Sequence, residues 1–388
     1  MIEGRNIVCI ASNWDDHPTS KHHLMRLLSQ QNHIVWVNYH ASRRPKLNAS
    51  DTRAIAHRLW QARRASRRVA DNIDVLSPLL IPFPEARFAR FINSRALARQ
   101  IRLQLRRLPE RPAQLWLFTP DVPELIDLIP AERVVYYCVD EFSAFTGFNQ
   151  ALIRRLEAQT IRRSHAVITT SALLYEQRRD LHPNTHMVPH GVDFDHFASC
   201  EHVRADDVPE EIADIPAPIF GYFGLISDYV DLELIGQAAA ARPEWSFVFL
   251  GDVRRDTAPV DGLENVYLLG GRPYESLPRY CSRFDVGLIP FKMNRLTRAV
   301  NPIKLREYLA AGLPVVSSPM PEVLRYQPVV TTAESLDEFL PACATALAIG
   351  QAQSPAERRQ LVLAESWQSR LEVLSELIMQ TAPLVSHW

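Results

Sequence analysis

The sequence predicts an α/β protein made of two doubly wound domains, and three observations support this fold class. The chain has 388 residues, more than a single hydrophobic core usually accommodates. Short apolar segments alternate with amphipathic ones, which is the pattern of parallel strands connected by helices. The alternation stops in an acidic, proline-containing stretch from Asp206 to Pro218 and then begins again.

The first series of strands begins close to the N-terminus. Its predicted strands are short apolar segments bounded by polar residues, at 6–12, 33–39, 114–120, 133–140 and 165–171. A short strand and a glycine turn within 186–197 close the series. We therefore predict an N-terminal domain over residues 1–200.

The second series follows the acidic stretch. It comprises strands at 219–224, 246–252, 266–271, 285–290 and 314–318, with a helix at 231–241 after the first. These elements predict a second domain over 201–365, and the segment 366–388 contains a helix that we expect to pack back on the first domain. Two such domains would form a cleft between the carboxyl ends of their sheets, where α/β proteins bind ligands.

The composition is typical of a soluble protein of a reducing compartment. Hydrophobic residues make up 47% and charged residues 22% of the chain. No apolar run is long enough to span a bilayer, and the N-terminus lacks the features of a signal peptide. The five cysteines are odd in number and never form a C-x-x-C pair, which argues against zinc and disulfides. These features favour a cytoplasmic location.

The positive charge of the chain is concentrated between Ser42 and Arg111. This segment holds sixteen arginines and one lysine against five acidic residues, although the whole chain has a net charge of −1. Arginines alternate with large apolar residues at 58–68 and 79–107, and Arg87, Phe88, Arg90, Phe91 and Arg95 form a pattern suited to anionic lipid headgroups. The alternative is a solvated pair of arginine-rich helices that packs on the sheet. No aromatic or helix-turn-helix signature supports nucleic acid as a partner.

The segment "NPIKLREYLAAGLPVVSS" at 301–318 predicts a helix that binds a nucleotide. Pro302 suits its first turn, and Gly312 suits its C-terminal cap. The N-terminus of a helix attracts phosphate, and Lys304 adds a full positive charge there. Glu307 lies on the same face and can accept hydrogen bonds from two hydroxyls of a ribose. The alternative is an exposed Lys–Glu pair that only stabilises the helix.

Three segments of the chain resemble GT-B glycosyltransferases. The segment from 301 resembles their nucleotide-binding helix, "MVPHGVDFDHF" resembles the element that ends their first domain, and "GYFGLISDYVDLELI" resembles the first loop and helix of their second domain. The resemblance implies two Rossmann-like domains that face a central cleft, an acceptor-binding N-terminal domain and a C-terminal domain that binds a nucleotide-sugar. It places the donor near Gly221, Gly224, Gly271, Arg272, Phe291, Asn301, Pro302, Lys304 and Glu307. Phe291 either stacks on the base or packs in the core.

One position departs from the retaining members of this class. They carry a second glutamate eight residues before the ribose-binding one, where this chain has Ala299. The sequence is in this respect similar to the inverting xanthan β-glucuronosyltransferase group. The alternatives that remain are a retaining transferase, a GT-B-fold sugar-nucleotide epimerase and a non-catalytic protein that binds nucleotide or glycan.

Asp140 is the predicted catalytic base. It follows a run of apolar residues and should stand at the carboxyl end of a buried strand, where a carboxylate can have a raised pKa. An inverting transfer needs a base to take the proton of the acceptor hydroxyl. The resemblance supports the assignment, because an aspartate in a comparable setting is the base of the glucuronosyltransferase. Asp140 could instead cap the following helix, and Glu141 is the fallback base.

The polar loop "SNWDDHPTSKHH" is predicted to contact the acceptor. The candidate acceptor residues are Asn13, Trp14, Ser20 and Lys21, with His190 from the end of the first domain. His22 competes with Asp140 as base, because a histidine of this loop has that role in some related enzymes. The histidines lack the spacing of a zinc site, so no metal and no cofactor is expected.

The resemblance also implies the biological setting. The donor is expected to be a nucleotide-sugar, with UDP as its nucleotide by analogy. The acceptor is expected to be a lipid-linked saccharide or a similar glycan. Such a transfer would take place in bacterial exopolysaccharide or cell-envelope synthesis, with the protein peripheral on the inner face of the cytoplasmic membrane.

Overall fold

The computed structural model describes residues 1–39 and 66–381, which form two compact units. The first unit contains residues 1–189 and the segment from Leu371 onward, and the second contains 190–370. Each unit is an α/β structure built around one mainly parallel sheet. The predicted fold class is therefore confirmed.

The first unit has an eight-stranded sheet in the order β3-β4-β2-β1-β5-β6-β7-β8. Its strands are β1 (Asn6–Ala11), β2 (His33–Asn38), β3 (Arg67–Ala70), β4 (Ile73–Leu76), β5 (Ala113–Leu117), β6 (Arg133–Cys138), β7 (Ala166–Thr169) and β8 (Thr185–Met187). Its helices are α1 (Ser20–Leu28), α2 (Arg87–Leu105), α3 (Leu125–Leu128), α4 (Gln150–Arg163) and α5 (Ala172–Arg178). The chain winds outward from β1 in one direction and then from β5 in the other, so the carboxyl ends of β1 and β5 form a topological switch point.

The edge of this sheet differs from the prediction. Arg67 and Arg68, which the sequence placed in an amphipathic arginine-rich surface, lie in β3, the one strand of this sheet that pairs antiparallel. Its residues are half-buried or exposed, as the edge of a sheet allows. The part of that predicted surface at 58–65 lies outside the described residues.

The second unit has a six-stranded parallel sheet in the order β11-β10-β9-β12-β13-β14. Its strands are β9 (Ile219–Phe223), β10 (Ser246–Leu250), β11 (Val266–Gly270), β12 (Val286–Ile289), β13 (Val315–Ser317) and β14 (Val330–Thr332). Its helices are α6 (Phe194–Ala198), α7 (Glu210–Ala213), α8 (Leu232–Ala241), α9 (Leu277–Cys281), α10 (Ile303–Ala311), α11 (Leu336–Ala352) and α12 (Pro355–Gln360). The switch point of this sheet lies between β9 and β12.

The units divide earlier than the predicted boundary at residue 200. Gly191 has no room for a side chain because Trp367 lies against it, and the amide of Val192 donates to the carbonyl of Glu365. Phe197 is fully buried in the core of the second unit. The segment 190–200 is therefore part of the second unit, as is the segment 366–370 that the prediction had assigned to the C-terminal helix.

The C-terminal helix α13 (Trp367–Gln380) begins in the second unit and ends in the first. Leu371, Leu374 and Ile378 are completely buried. Beyond the helix, the guanidinium of Arg133 on β6 donates to the carbonyl of Thr381. The last turns of the chain thus complete the core of the first unit.

Candidate active site

The start of α10 lies against the turn that follows β9. Gly224 in this turn has a φ of +123°, a conformation that side chains rarely adopt, and a Cβ there would lie 2.4 Å from Cε of Lys304. The ammonium of Lys304 also lies 5.5 Å from the centre of the Tyr222 ring. The first turn of α10, Lys304 and the backbone of Gly224 therefore meet at the switch point of the second sheet.

Glu307 lies one turn further along α10 and is 6% exposed. Burial raises the pKa of Glu307 to about 7, Lys304 opposes this rise, and the carboxylate of Asp193 adds to it. Among the described residues, neither Lys304 nor Glu307 forms a hydrogen bond or an ion pair. Both groups thus remain available to a ligand, although each is largely removed from water.

Arg306, which also lies on α10, forms hydrogen bonds that hold the beginning of this helix. Its Nη1 donates to Oδ1 of Asn301 over 2.6 Å, and its Nε donates to Glu365 over 2.5 Å. Tyr326 donates to the same carboxylate oxygen of Glu365 over 2.9 Å. Asn301 and Pro302 directly precede α10, so this contact fixes the approach of the chain to the helix. No pattern in the sequence singles out Arg306, since an arginine within a helix is usually solvated.

Two of the predicted donor-binding residues have a structural role instead. A Cβ on Gly221 would lie 2.2 Å from the ring of Phe284, so this glycine accommodates the core rather than a phosphate. Phe291 is buried and packs edge-to-face on Tyr229 with ring centres 5.0 Å apart. The structure therefore corrects the expected role of Gly221 and favours the core alternative for Phe291.

Gly271 and Arg272 follow β11, two strands away from β9. Gly271 lies close to Asp252, whose carboxylate oxygen would be 2.7 Å from an added Cβ. Arg272 donates to the hydroxyl of Tyr280 over 2.8 Å and to Glu211 over 3.1 Å. A phosphate at Arg272 would therefore have to compete with Glu211, and its contact with the donor stays a prediction.

His190 lies in an enclosed environment. It belongs to the second unit, is buried, and packs on Trp367 with ring centres 5.9 Å apart. Burial lowers the pKa of His190 to about 3, and Arg306 and Arg370 lower it further. The imidazole is therefore neutral and enclosed, and its contact with the acceptor stays a prediction.

In the first unit, Asp140 follows β6 as predicted and is half-buried. Burial raises the pKa of Asp140 to about 7, and the positive charge of Lys21 opposes this rise. Lys21 lies in the first turn of α1, and burial lowers its own pKa while Asp140 raises it. The side chain of Asp140 forms no hydrogen bond with the other described residues. It therefore does not cap the following turn and is free to act on a ligand.

The fallback base Glu141 is instead held by protein groups. Its two oxygens accept hydrogen bonds from Ser143 and, over 3.2 Å, from Nη2 of Arg178. All three side chains are buried. A carboxylate engaged on both oxygens is poorly suited to take a proton from a substrate, so the geometry favours Asp140 over Glu141.

His22 caps α1 rather than facing a ligand as a base. Its Nδ1 accepts the backbone N–H of Thr19 over 3.1 Å, completing a reciprocal cap with the Thr19 side chain. Its ring packs between Trp14 and Trp36, with centres 5.5 and 4.8 Å away. Burial lowers the pKa of His22 to about 3. An imidazole with so low a pKa is a weak proton acceptor at neutral pH, so His22 is poorly suited to act as a general base.

The remaining loop residues have mixed environments. Asn13 is half-buried and donates to Asp16 over 3.4 Å, and the backbone N–H of Trp14 donates to Asn38 over 2.9 Å. Ser20 is buried in the first turn of α1. Lys21 is thus the residue of this loop whose charge faces Asp140.

The arginine-rich helix α2 presents an apolar and basic outer face. Phe88, Phe91 and Ile92 are 64%, 55% and 49% exposed, while the opposite face packs on the unit through Leu97 and Ile101. A groove of about 470 Å³ between α2 and α4 is lined by Arg87, Arg90, Phe91, Ser94, Arg95, Glu124, Arg155, Leu156 and Gln159. Of the predicted lipid-facing residues, Arg87, Phe88, Phe91 and Arg95 are exposed on this face, whereas the side chain of Arg90 is 16% exposed and lies 3.5 Å from the carboxylate of Glu124.

Neither a metal centre nor a membrane span occurs in the part of the chain that the structure describes. That part contains no group of three or more His, Cys, Asp or Glu side chains that could hold a metal ion. No helix within 1–39 or 66–381 is both long and apolar enough to cross a membrane.

Comparison with known proteins agrees with this geometry. Residues 218–349 match the family model "Glycosyl transferases group 1". The putative teichuronic acid biosynthesis glycosyltransferase TuaH of Bacillus subtilis (strain 168) is 27% identical over 274 residues, which cover 65% of this chain and 68% of TuaH. Residues 218–349 of this chain are therefore a glycosyl transferase group 1 domain.

Solved GT-B structures share the fold of this chain across almost its whole length. Sucrose-phosphate synthase from Thermosynechococcus elongatus superposes with a TM-score of 0.68 at 15% identity, covering 97% of this chain and 98% of the synthase. Anabaena Alr3699/HepE, solved in complex with UDP, has a TM-score of 0.62 at 12% identity and covers 97% of this chain and 100% of its own. At such identities the likeness establishes the fold alone.

Proposed function

We propose that this glycosyltransferase moves a sugar from a UDP-sugar to a hydroxyl of a glycan acceptor. The observation that carries the proposal is the arrangement at the start of α10. Lys304 lies across Gly224 and forms no hydrogen bond or ion pair with the described residues, and Glu307 stands one turn away on the same helix. A helix N-terminus and an ammonium suit a diphosphate, and a buried carboxylate suits a ribose diol.

The reaction is proposed to invert the anomeric centre. Asp140 takes the proton of the acceptor hydroxyl as that oxygen attacks the anomeric carbon, and the nucleoside diphosphate leaves. The pKa of about 7 for Asp140 suits a general base at neutral pH. Ala299, which is buried where retaining enzymes carry a glutamate, supports this choice. A product with the donor's own anomeric configuration would favour the retaining alternative.

Catalysis is proposed to need no metal. The N-terminus of α10 and Lys304 can offset the charge that develops on the leaving diphosphate, and Arg272 would contribute if it exchanged Glu211 for phosphate. If a nucleotide raises the midpoint of thermal unfolding and EDTA abolishes this rise, this part of the proposal is contradicted.

The acceptor is proposed to be a lipid-linked saccharide of the bacterial cell envelope. TuaH is named for teichuronic acid biosynthesis, which supports a glycan acceptor. The exposed phenylalanines and arginines of α2 support docking on an anionic membrane, at the inner face of the cytoplasmic membrane.

The donor site is tested by thermal unfolding with UDP, GDP, ADP and dTDP, each with and without EDTA. A ligand at a hundred times its dissociation constant stabilises the folded protein by about 2.7 kcal/mol, which raises the midpoint by roughly a few degrees. We expect a shift with UDP that EDTA leaves unchanged. The shift should be lost in Glu307→Ala and kept in Glu264→Ala, since Glu264 is exposed in a loop of the same unit. No shift with any of the four nucleotides would count against the donor site.

Membrane docking is tested by co-sedimentation with vesicles that contain anionic lipid. We expect binding at low salt that weakens as salt screens the charges, and that is lost when Arg87, Arg90 and Arg95 are replaced by glutamate. Replacing Arg254 and Arg279, which are exposed on the second unit, is the matched control. Binding that survives the triple reversal would show that α2 is not the docking surface.

A further inference from the structure

A cluster of buried charges lies directly behind Asp140 in the first unit. Nη2 of Arg178, the last residue of α5, lies 2.8 Å from Oε1 of Glu157 on α4 and 3.2 Å from Oε2 of Glu141. The three side chains are between 4% and 8% exposed. Removing charges from water is costly, so such a cluster persists only where hydrogen bonds satisfy its members.

Those hydrogen bonds are present: Glu157 on α4 accepts from Arg178 and is itself held by β6. Oε1 of Glu157 accepts from Nε of Arg178 over 2.9 Å and from the hydroxyl of Tyr136 on β6 over 2.7 Å. The thiol of Cys138, also on β6, lies 3.7 Å from the same oxygen. Glu157 thereby anchors one side of the guanidinium, and the other side is left for Glu141.

The turn that carries Asp140 is held at successive positions. The carbonyl of Val139 accepts from Thr170 over 3.2 Å, and the carbonyl of Asp140 accepts from the amide of Phe142 over 3.0 Å. Glu141 is held through its side chain by Arg178 and Ser143. The carboxylate of Asp140 forms no hydrogen bond with the other described residues.

Stability alone does not account for this arrangement. Replacing a buried ion cluster by well-packed apolar side chains is often neutral or stabilising. Apolar packing would not hold a carboxylate in one direction, whereas the cluster holds that of Glu141. It fixes the direction of one side chain, Glu141, whose backbone is bonded directly to that of the proposed base.

We propose that Arg178 is a positioning residue for the transfer reaction, which through Glu141 holds the turn 138–144 so that the carboxylate of Asp140 stays aimed at the acceptor hydroxyl. The inference rests on the proposed role of Asp140 as base. Arg178 does not touch the substrate, and it acts on the reaction only through the orientation of its neighbour.

The test combines turnover with a measurement that does not depend on turnover. In Arg178→Lys we expect kcat to fall by roughly ten- to a hundredfold, because a reacting group displaced by about 1 Å can cost on the order of a hundredfold. We expect the thermal shift with UDP to be kept, since donor binding uses the second unit. Hydrogen exchange of the peptide 138–145 should become faster. Arg179→Lys is the matched control, because Arg179 is the next residue, is 49% exposed and pairs with Glu176.

A second variant covers the case in which Arg178→Lys fails to fold. Glu141→Gln keeps the size and shape of the side chain and removes the charge that Arg178 contacts. It should reproduce the loss of kcat and the faster exchange of 138–145 with the UDP shift intact. Either variant with turnover within twofold of the wild type and unchanged exchange would overturn the proposal.

Combination with Asp140→Asn separates the positioning role from a general loss of structure. Residues that act through one group are non-additive, so Arg178→Lys should cost no further turnover once Asp140 is changed. A further loss of tenfold or more in that background would overturn the inference. If Asp140→Asn alone keeps near-normal turnover, the base assignment fails, and exchange of 138–145 then decides whether Arg178 holds the turn at all.

Discussion

Lys21 and Asp140 come from distant parts of the sequence, yet each influences the ionisation of the other. The pKa of Lys21 is raised by Asp140, by the thiol of Cys9 and by the carboxylate of Asp16. The pKa of Asp140, in turn, is lowered by the positive charge of Lys21. The base is active when ionised, so turnover should rise with pH through about 7, the value to which burial raises the pKa of Asp140.

Replacing Lys21 should therefore change the pH dependence of the reaction. In Lys21→Met the positive charge that lowers the pKa of Asp140 is gone, so this pKa rises further. We expect the acid limb of the kcat profile to move to higher pH, with activity lost near pH 7 and recovered in more alkaline buffer. Steady-state kinetics across pH measure this shift.

The conservative variant Lys21→Arg is the control. It keeps the positive charge and should keep the limb near its original pH. An unshifted profile in Lys21→Met would show that the charge of Lys21 does not act on the base. A higher KM for the acceptor with kcat unchanged at every pH would instead indicate a role in binding the acceptor.

The residues that the sequence could identify are those with a local pattern. Lys304 and Glu307 stand at a recognisable spacing in one helix, and Asp140 follows a buried strand. Arg178 and Arg306 were not identified, because their partners Glu157 and Glu365 lie far away along the chain. His22 is a similar case, because its contact with Trp36 on β2 cannot be read from the local sequence. Its spacing from Thr19 is that of a capping residue.

At the scale of elements, the turn between β9 and α8 brings the backbone close to Lys304. Gly224→Ala would place a methyl group 2.4 Å from Cε of Lys304 and would require a φ near +123°. We expect Lys304 to be displaced and the UDP-dependent thermal shift to be lost or strongly reduced. The positive φ alone should also lower the stability by roughly 1–2 kcal/mol.

A second glycine separates these two effects. Gly262 has a φ of +77°, and an added Cβ there would meet no atom within 4 Å. Gly262→Ala should thus lose stability through backbone strain while keeping its response to UDP. Nucleotide titration of the two variants makes the comparison, and an equal loss of UDP affinity in both would contradict a specific contact at Gly224.

The elements that the sequence predicted well are the buried strands and α10. Each is bounded by polar or turn residues, and Gly312 ends α10 with a φ of +84° as its cap position requires. The strands β3 and β4 and the three-residue β14 were not predicted. They lie at or beside the edges of their sheets, are short, and carry mixed polar residues, so pairing with a neighbour rather than their own pattern makes them strands.

At the scale of the whole molecule, the last helix connects the two units in sequence and contributes to the core of the first. Leu374→Ala in α13 should destabilise the first unit by about 2–5 kcal/mol, the usual cost of truncating a fully buried leucine. The stabilisation of the second unit by UDP should persist. Calorimetric unfolding with and without UDP resolves the two contributions.

The neighbouring Val373 provides the control for this prediction. It lies on the same helix and is 45% exposed, so Val373→Ala should change the stability by roughly 0.5 kcal/mol or less. If both variants were equally mild, the helix would contribute little to the core of the first unit.

The chain leaves the first unit at residue 189 and returns to it at residue 371. During synthesis on a ribosome, every residue of the second unit is therefore made before the first unit receives its final helix. The second unit can therefore fold while the first unit still has an incomplete apolar surface and lacks its last helix. We expect nascent chains halted before residue 371 to need chaperones for their N-terminal half, even when their C-terminal half already binds UDP.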